Sequence, residues 1–436
     1  MRINIIPRLE IYKVQSNKIE MYNDNFYITY YNHFPILVND DGTLWKYANL
    51  YLLYKIKSPK LPHYSTLHNI AKELKAFFEW SLENNIDYLN EKRRVRRPTY
   101  MYRFFLQKKL ENGTNTDKTV KKKMSVVINF YEYLQNILHL KFRFPLWEKQ
   151  DSYISYKDVY GFEQGKKVET KDLLRIPSFY SSSSDDYIQD EAKLKPLTQE
   201  EQILIFKALN KLGNTEMTLS CLISITTGAR IQTVCTLRLK HFEKQVSEKE
   251  RYIPIKVGLG TDVDTKNDTV YFLQMPSWVY LKIQIYLKSQ RYQKRFENQK
   301  HIFRDEKLQY IFLTNRGTPY YVSKYDNYIE TYINIIPNGN TIRQFLHTTL
   351  YKELRGKFKF RFHDLRATFA MNLLDLQMPL VNKGEMTLYE LLSIIRERMP
   401  HKSLLTTERY LNFRNKQNQK QLIQYEFEEY LEGLLV

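Results

Sequence analysis

Between residues 61 and 145 the apolar side chains recur at the period of an α-helix. Leu67, Ile70, Ala71, Leu74, Phe77 and Phe78 fall at i, i+3, i+4 and i+7 spacing, and Val120, Met124, Val127, Tyr131 and Leu134 repeat the pattern after Thr116-Asp117, a helix N-cap signal. Two such stripes can only be buried against one another, so this stretch has to be a small helical domain. The preceding residues, 1–60, are rich in Tyr, Ile and Asn. They carry β-prone runs such as Phe26-Tyr27-Ile28-Thr29-Tyr30 and an Asp41-Gly42 turn signal, which predicts a partly β region. Residues 146–195 read as a linker that ends in Ser181-Ser182-Ser183-Ser184-Asp185-Asp186.

A new pattern starts at Pro196-Leu197-Thr198, where Thr198 and Glu201 have the spacing of a capping box. Helical segments are expected around 199–212, 217–240, 276–297 and 364–376. A hairpin is expected from Tyr252-Ile253-Pro254-Ile255 to Thr269-Val270-Tyr271-Phe272, through a turn at 258–268. The expectation is therefore a multi-domain chain: a mainly α domain at 61–145 and an α+β domain, mostly helical with a small β-hairpin, at 196–436.

Charge narrows the partner. Lys and Arg number 67 against 48 Asp and Glu, a formal net charge of +19. Each phosphate neutralised by such a chain releases counterions, so a polyanion is the natural partner. Basic residues concentrate at two places in the helical domain: Lys92, Arg93, Arg94, Arg96 and Arg97, and then Lys118, Lys121, Lys122 and Lys123 on the first turns of its second amphipathic helix. Cations oppose the dipole at a helix N-terminus, so the second cluster makes better sense with phosphates beside it than as a solvated face. These nine residues are the candidate DNA contacts. The two cysteines, Cys221 and Cys235, lie in apolar sequence and read as reduced core residues. No Cys/His spacing suits zinc, and no uncharged apolar run is long enough to span a bilayer. The expected location is the cytoplasm, at the nucleoid in a prokaryote.

Three separated segments supply residue types suited to one reaction. They are Thr227-Gly228-Ala229-Arg230, then His363-Asp364-Leu365-Arg366, then His401-Lys402-Ser403-Leu404-Leu405-Thr406-Thr407-Glu408-Arg409-Tyr410. In order and spacing the set resembles the tyrosine recombinase (phage integrase) family, over roughly 196–415. The helical domain resembles that family's core-binding (SAM-like) domain by pattern alone. The resemblance implies a nucleophile at Tyr410 and a catalytic set of Arg230, His363, Arg366 and His401. It also implies a general-acid lysine in the hairpin, for which Lys266 matches best and Lys256 competes. It implies cleavage and rejoining of DNA at specific double-stranded sites through a 3′-phosphotyrosine, with neither metal nor ATP as cofactor, by a homo-tetramer that integrates or excises a mobile element.

Elementary chemistry agrees. Attack on a phosphodiester builds negative charge on the non-bridging oxygens, which guanidinium groups bind bidentately without losing a proton. A phenol with a pKa of about 10 needs help to ionise, and the leaving oxygen needs a proton. Thr233 stands where the family usually has an acid, Ala367 where it often has a second histidine, and Pro400 where it usually has glycine. Support for Arg230 must then come from elsewhere, with Gln232 the nearest candidate. A type IB topoisomerase or a telomere resolvase would use the same set, and a silent DNA-binding relative would keep only the fold. Residues 1–60 either bind separate arm-type sites, as N-terminal extensions do in some relatives, or are structural. Near the C-terminus Phe427, Tyr430, Leu431, Leu434 and Leu435 share one helical face. Such a helix packs on its own domain or, as the resemblance implies, docks in trans on a neighbouring subunit.

Overall fold

The structure is a computed structural model. It describes residues 1–11, 29–57, 62–157, 163–176, 187–190, 192–298, 303, 305–326, 336–399 and 404–434. Among these the chain is mostly helical, with small two-stranded antiparallel sheets. It divides into two compact units, one spanning Met1–Ser181 and the other comprising almost all of Ser182–Val436.

In the first unit β1 (Arg2–Ile11) pairs with β2 (Thr29–Val38), Ile3 opposite Leu37. A lone hairpin is marginal in water. This one is completed by the helices, because Phe34 and Leu37 are buried in one core with α1 (Lys46–Ile56), α2 (Tyr64–Glu83), α3 (Pro98–Glu111) and α4 (Asp117–Asn136). The buried side chain of Asn49 satisfies both backbone groups of Leu37, accepting from its N–H at 2.8 Å and donating to its carbonyl at 2.9 Å. The region 1–60 thus shares its core with the helical domain. The tight turn forms as expected, with Gly42 at φ +87° and its N–H donating to Asn39 O. Phe26, Tyr27 and Ile28 lie outside the described residues. The periodic stripes behave as read: Leu67, Ala71, Leu74 and Phe77 are buried against Val120, Met124, Val127, Tyr131 and Leu134. Each fully buried side chain of this kind is worth about 1.5–3 kcal/mol. Thr116 caps α4, its hydroxyl accepting from Thr119 N–H.

The stretch read as a linker is divided between the units. Its β3 (Lys149–Lys157) and β4 (Glu163–Lys171) form a hairpin, and Leu173 and Ile176 return to the first core. Ser181 to Asp186 lie outside the described residues. The second unit begins with β5 (Ile188–Asp190) and β6 (Ala192–Leu194), two short paired strands. After the capping box of Thr198 and Glu201 comes α5 (Gln199–Leu212), with the predicted bounds. The helix expected over 217–240 is interrupted. The first part, α6 (Thr215–Thr227), stops at Gly228, whose φ of +69° reverses the chain, and α7 (Ile231–Cys235) follows Arg230. The hairpin β7 (Tyr252–Val257) and β8 (Tyr271–Pro276) pairs Tyr252 with Pro276, so its second strand leaves out Thr269 and Val270 and runs on to Pro276. Two helices replace the one expected over 276–297, α8 (Ser277–Leu287) and α9 (Gln290–Glu297), because the Ser289 hydroxyl caps a fresh start by accepting from Tyr292 N–H.

Next come α10 (Asn340–Phe345), a π-helical turn at Leu346–Leu350, and the short α11 (Tyr351–Glu353). Three helices close the chain: α12 (Asp364–Asn382), α13 (Leu388–Arg398) and the 30-residue α14 (Leu404–Gly433). Cys221 and Cys235 are free and buried in the main core of this unit. A second, smaller core joins Ile188 and Leu194 to Phe369, Leu374, Leu391, Ile395, Met399 and Tyr410. The far half of α14 does not take part in it: Phe427, Tyr430, Leu431 and Leu434 are all exposed, while Leu435 lies outside the described residues. No helix among the described residues is long and apolar enough to cross a membrane.

Candidate active site

The site is built on one backbone reversal. At the end of α6 the Thr227 hydroxyl donates to Ile223 O at 2.6 Å and accepts from Ala229 N–H, while the Ser224 hydroxyl donates to Ala229 O. Gly228 sits at the apex. A Cβ there would come within 2.7 Å of Met399 and Phe369 side-chain atoms, and the left-handed φ already favours glycine. The reversal turns the Gly228 carbonyl toward α12, where Arg366 Nη1 donates to it at 2.6 Å. It also sets Arg230 at the N-terminus of α7.

Arg366 is 1% exposed, in the first turn of α12. That helix starts at His363, which is half-buried at its N-terminal flank. The start is fixed by Asp364, whose carboxylate accepts from Lys195 N–H at 3.1 Å and Arg361 N–H at 2.7 Å. The Thr368 hydroxyl one turn on accepts from Leu197 N–H at 3.0 Å. These bonds tie the strand pair β5–β6 to the first turns of α12. They deliver Asp190, 2% exposed, into the interior beside Arg366. Asp190 Oδ2 accepts from Arg366 Nε at 3.4 Å and from the Tyr410 hydroxyl at 2.8 Å.

Tyr410 is fully buried in the first half of α14, and Arg409 beside it donates to Gln189 O at 2.8 Å. Burial raises the phenol pKa well above its ordinary value, and the Asp190 charge raises it further; Arg366 and, more weakly, Arg230 pull it down. The phenol therefore lies within the fields of both guanidinium groups, which come from segments 180 and 44 residues away in sequence. Arg366 Nη2 is buried with no hydrogen-bond partner among the described residues. An orphaned cationic donor is costly in a dry interior and fits an incoming anion.

The hairpin contributes Tyr271, whose phenol is pushed up by burial and drawn down by Arg366, Arg230 and a hydrogen bond with Thr233. Lys266 is exposed at the start of a short turn, Lys266–Asp268, two residues after Asp264. That turn is pinned to α7, since Thr233 donates to Asp264 O at 2.8 Å and Asp264 N–H donates to Thr236 at 2.8 Å. Lys256 is exposed on β7 opposite Phe272 and lines a separate cleft with Lys240, His241 and Tyr280. His401 lies outside the described residues. No group of three or more His, Cys, Asp or Glu that could hold a metal ion occurs among the described residues.

No protein-family model and no curated protein sequence matches the chain. Solved structures similar to it include a XerH site-specific recombinase bound to palindromic difH substrate in a post-cleavage complex, at 12% identity and TM-score 0.48, over 89% of this chain and 92% of that one. Another is a lambda integrase dimer bound to a COC′ core site, at 13% identity and TM-score 0.47, over 84% and 95%. A third is the Tn1549 transposon integrase in complex with circular intermediate DNA, at 14% identity and TM-score 0.44, over 84% and 94%. At these identities and scores the functional reading rests on this chain's own residues.

In the first unit the candidate DNA contacts divide. Lys92, Arg93, Arg94, Lys118, Lys121 and Lys122 are exposed. Arg96 instead donates to Asn84 O and Asn85 O at 2.9 and 2.8 Å, and Arg97 donates to Pro145 O while its guanidinium lies 3.8 Å from the Tyr100 ring centre. Lys123 pairs with Glu73 at 3.5 Å. These three hold the helical core together whatever else they do.

Sequence reasoning missed Asp190 and Tyr271. Asp190 had a readable signal: it alternates with Ile188, so it falls on the apolar face of its strand, where a carboxylate requires a cationic partner. That partner is Arg366, and Gln232 takes no part in a side-chain contact described for either arginine.

Proposed function

We propose that this chain is a tyrosine-type site-specific DNA recombinase (integrase). The observation that supports the reading is that Tyr410 and Arg366, both buried, meet at the carboxylate of Asp190, with Arg230 near enough to act on the phenol and Arg366 Nη2 without a hydrogen-bond partner among the described residues. In the reaction Tyr410 Oη attacks a backbone phosphorus, the bond to the 5′ oxygen breaks, and a 3′-phosphotyrosine and a free 5′-hydroxyl result. Arg230 and Arg366 hold the non-bridging oxygens as charge builds there. His363 and His401 assist the proton movements, and Lys266 protonates the departing 5′ oxygen. The covalent linkage conserves the energy of the broken bond, so rejoining requires no ATP and no metal.

By the same reading the partner is double-stranded DNA with specific recombination sites, and the product joins partner sites of a mobile element. The exposed lysines and arginines of the first unit supply phosphate contacts that set register. Four subunits assemble on DNA, with the exposed apolar face of α14 docking on a neighbour. Deleting residues 421–436 should then abolish cooperative assembly in a gel shift while leaving single-subunit binding; unchanged cooperativity would remove the docking role.

The deciding experiment uses duplex DNA recovered from a random-sequence pool by its binding to the Tyr410→Phe variant, nicked next to the cleavage position so that the adduct is trapped. The wild type should form a covalent band that maps to Tyr410, and Tyr410→Phe should form none while binding the same DNA. An undiminished band from the variant would sink the assignment. Relaxed circles or hairpin ends in place of joined sites would move it to another strand-transfer class.

A further inference from the structure

The Asp190 carboxylate bridges Arg366 and Tyr410, and it stands where the proposed chemistry calls for an anion of another kind. Its Oδ2 takes the Nε donor of Arg366 and the hydroxyl proton of Tyr410 at once. A second Arg366 donor, Nη1, is taken by Gly228 O, and Nη2 has no hydrogen-bond partner among the described residues. A phosphodiester oxygen has the charge and the acceptor geometry of this carboxylate and would bind the same donors. The two cannot share them. Tyr410 is fully buried, so its oxygen does not reach a phosphorus in this arrangement.

We propose that Asp190 is an internal stand-in for the scissile phosphate, an autoinhibitory contact that holds Tyr410 and Arg366 inactive until DNA displaces it. This rests on reading Tyr410 as the nucleophile. The alternative role for a carboxylate at 2.8 Å from a phenol is that of a base. Arg366 argues against it, because a guanidinium on the same oxygen stabilises the carboxylate and weakens it as a proton acceptor. The negative charge would also oppose the charge that builds on the phosphorane.

The carrier of the contact is short. β5 and β6 are three residues each and pair only through Ile188–Leu194, Gln189–Lys193 and Asp190–Ala192. Lys195 N–H, Leu197 N–H and the bond between Arg361 and Lys193 O hold the far end of this hairpin to α12. Asp190 is the last residue of β5, and with Gln189 O held by Arg409 the strand can stay seated while the Asp190 side chain alone gives up Arg366 and Tyr410.

The test compares full-length wild type, Asp190→Asn and Asp190→Ala on the nicked duplex described above. Asn keeps the shape and removes the charge, so it reports even if the Ala variant folds poorly. Both should form the adduct faster, by roughly tenfold, the ratio that a competitor worth about 1.4 kcal/mol would impose. Adduct formation slowed in both, or unchanged, would overturn the lock, and slowing would favour a positioning or proton-accepting role. A second readout does not depend on catalysis. Hydrogen exchange of the backbone amides of residues 188–194 in the wild type should accelerate when intact duplex binds and the strand loses its Asp190 anchor, and protection that stays the same or increases would overturn the proposal. If the wild type binds DNA but never forms an adduct at Tyr410, the nucleophile reading fails, while the exchange result still reports whether DNA releases the Asp190 contact.

Discussion

The charges of the two units are used in opposite ways. In the second unit Arg366 and Asp190 are buried against one another, and Arg366 is oriented further by the Gly228 carbonyl. In the first, Lys118, Lys121 and Lys122 are exposed at the start of α4, and among the described residues no ion pair or side-chain hydrogen bond is seen for their ammonium groups. Buried charge depends on geometry and fails abruptly when one partner is lost. Exposed charge acts additively and through salt. The contrast teaches that the buried pair is specified by the fold itself, whereas the exposed cluster is specified only by being basic.

The sharpest way to break this contrast is Arg366→Ala. It should lower adduct formation by several orders of magnitude, and because it strands the buried Asp190 it should also cost about 3–5 kcal/mol of stability. Denaturant titration beside the cleavage assay checks both, and a mild effect on either would place Arg366 outside a true buried pair. Gly228→Ala comes next. A Cβ at 2.7 Å from Met399 and Phe369, on a backbone at φ +69°, should destabilise by about 2–3 kcal/mol and displace the carbonyl that orients Arg366. Cleavage should fall even at temperatures where the variant is folded. An intermediate effect is expected for Lys118, Lys121 and Lys122 changed together to Ala. Stability should be unchanged, DNA affinity should weaken on all sequences, and the slope of log affinity against log salt should shrink by about 3 × 0.9. A slope equal to the wild type would exclude these lysines from the DNA surface. The smallest effect should come from Thr198→Ala, which removes one half of the capping box and should lower stability by about 1 kcal/mol in a thermal melt, without touching cleavage.

Much of this organisation was legible in the sequence, and for identifiable reasons. The stripes on α2 and α4, the capping box at Thr198 and the strands of β7 are local, so periodicity and side-chain caps determine them. Of the three motif segments, the structure brings Arg366 and Tyr410 together at Asp190, while His401 lies outside the described residues. The break at Gly228 was underestimated: the same Thr-Gly pair that marks the motif also ends α6, and a helical pattern read across it does not register a left-handed φ. Asp190 escaped because its meaning lies in a partner 176 residues away. Thr233 drew attention to a missing acid near Arg230, while the structure provides its acid on the other arginine from a strand of three residues. Lys266 and Lys256 differ in setting, one beside α7 and one on the outer face of β7, and that difference depends on the turn at 264–268 being tied down by Ser323 and Lys324, contacts that a hairpin pattern does not reveal.

The length of α14 has a mechanical consequence. Its first turns are clamped by Tyr410, Arg409 and the ion pair of Arg414 with Asp375, and the helix then runs on unbroken to Gly433. An α-helix rises about 1.5 Å per residue and resists bending over such a span. From Arg414 to Tyr430 it is a rigid arm of about 24 Å with its fulcrum at the buried phenol. A partner that grips the apolar tip would therefore hold it by a lever whose near end carries the buried phenol.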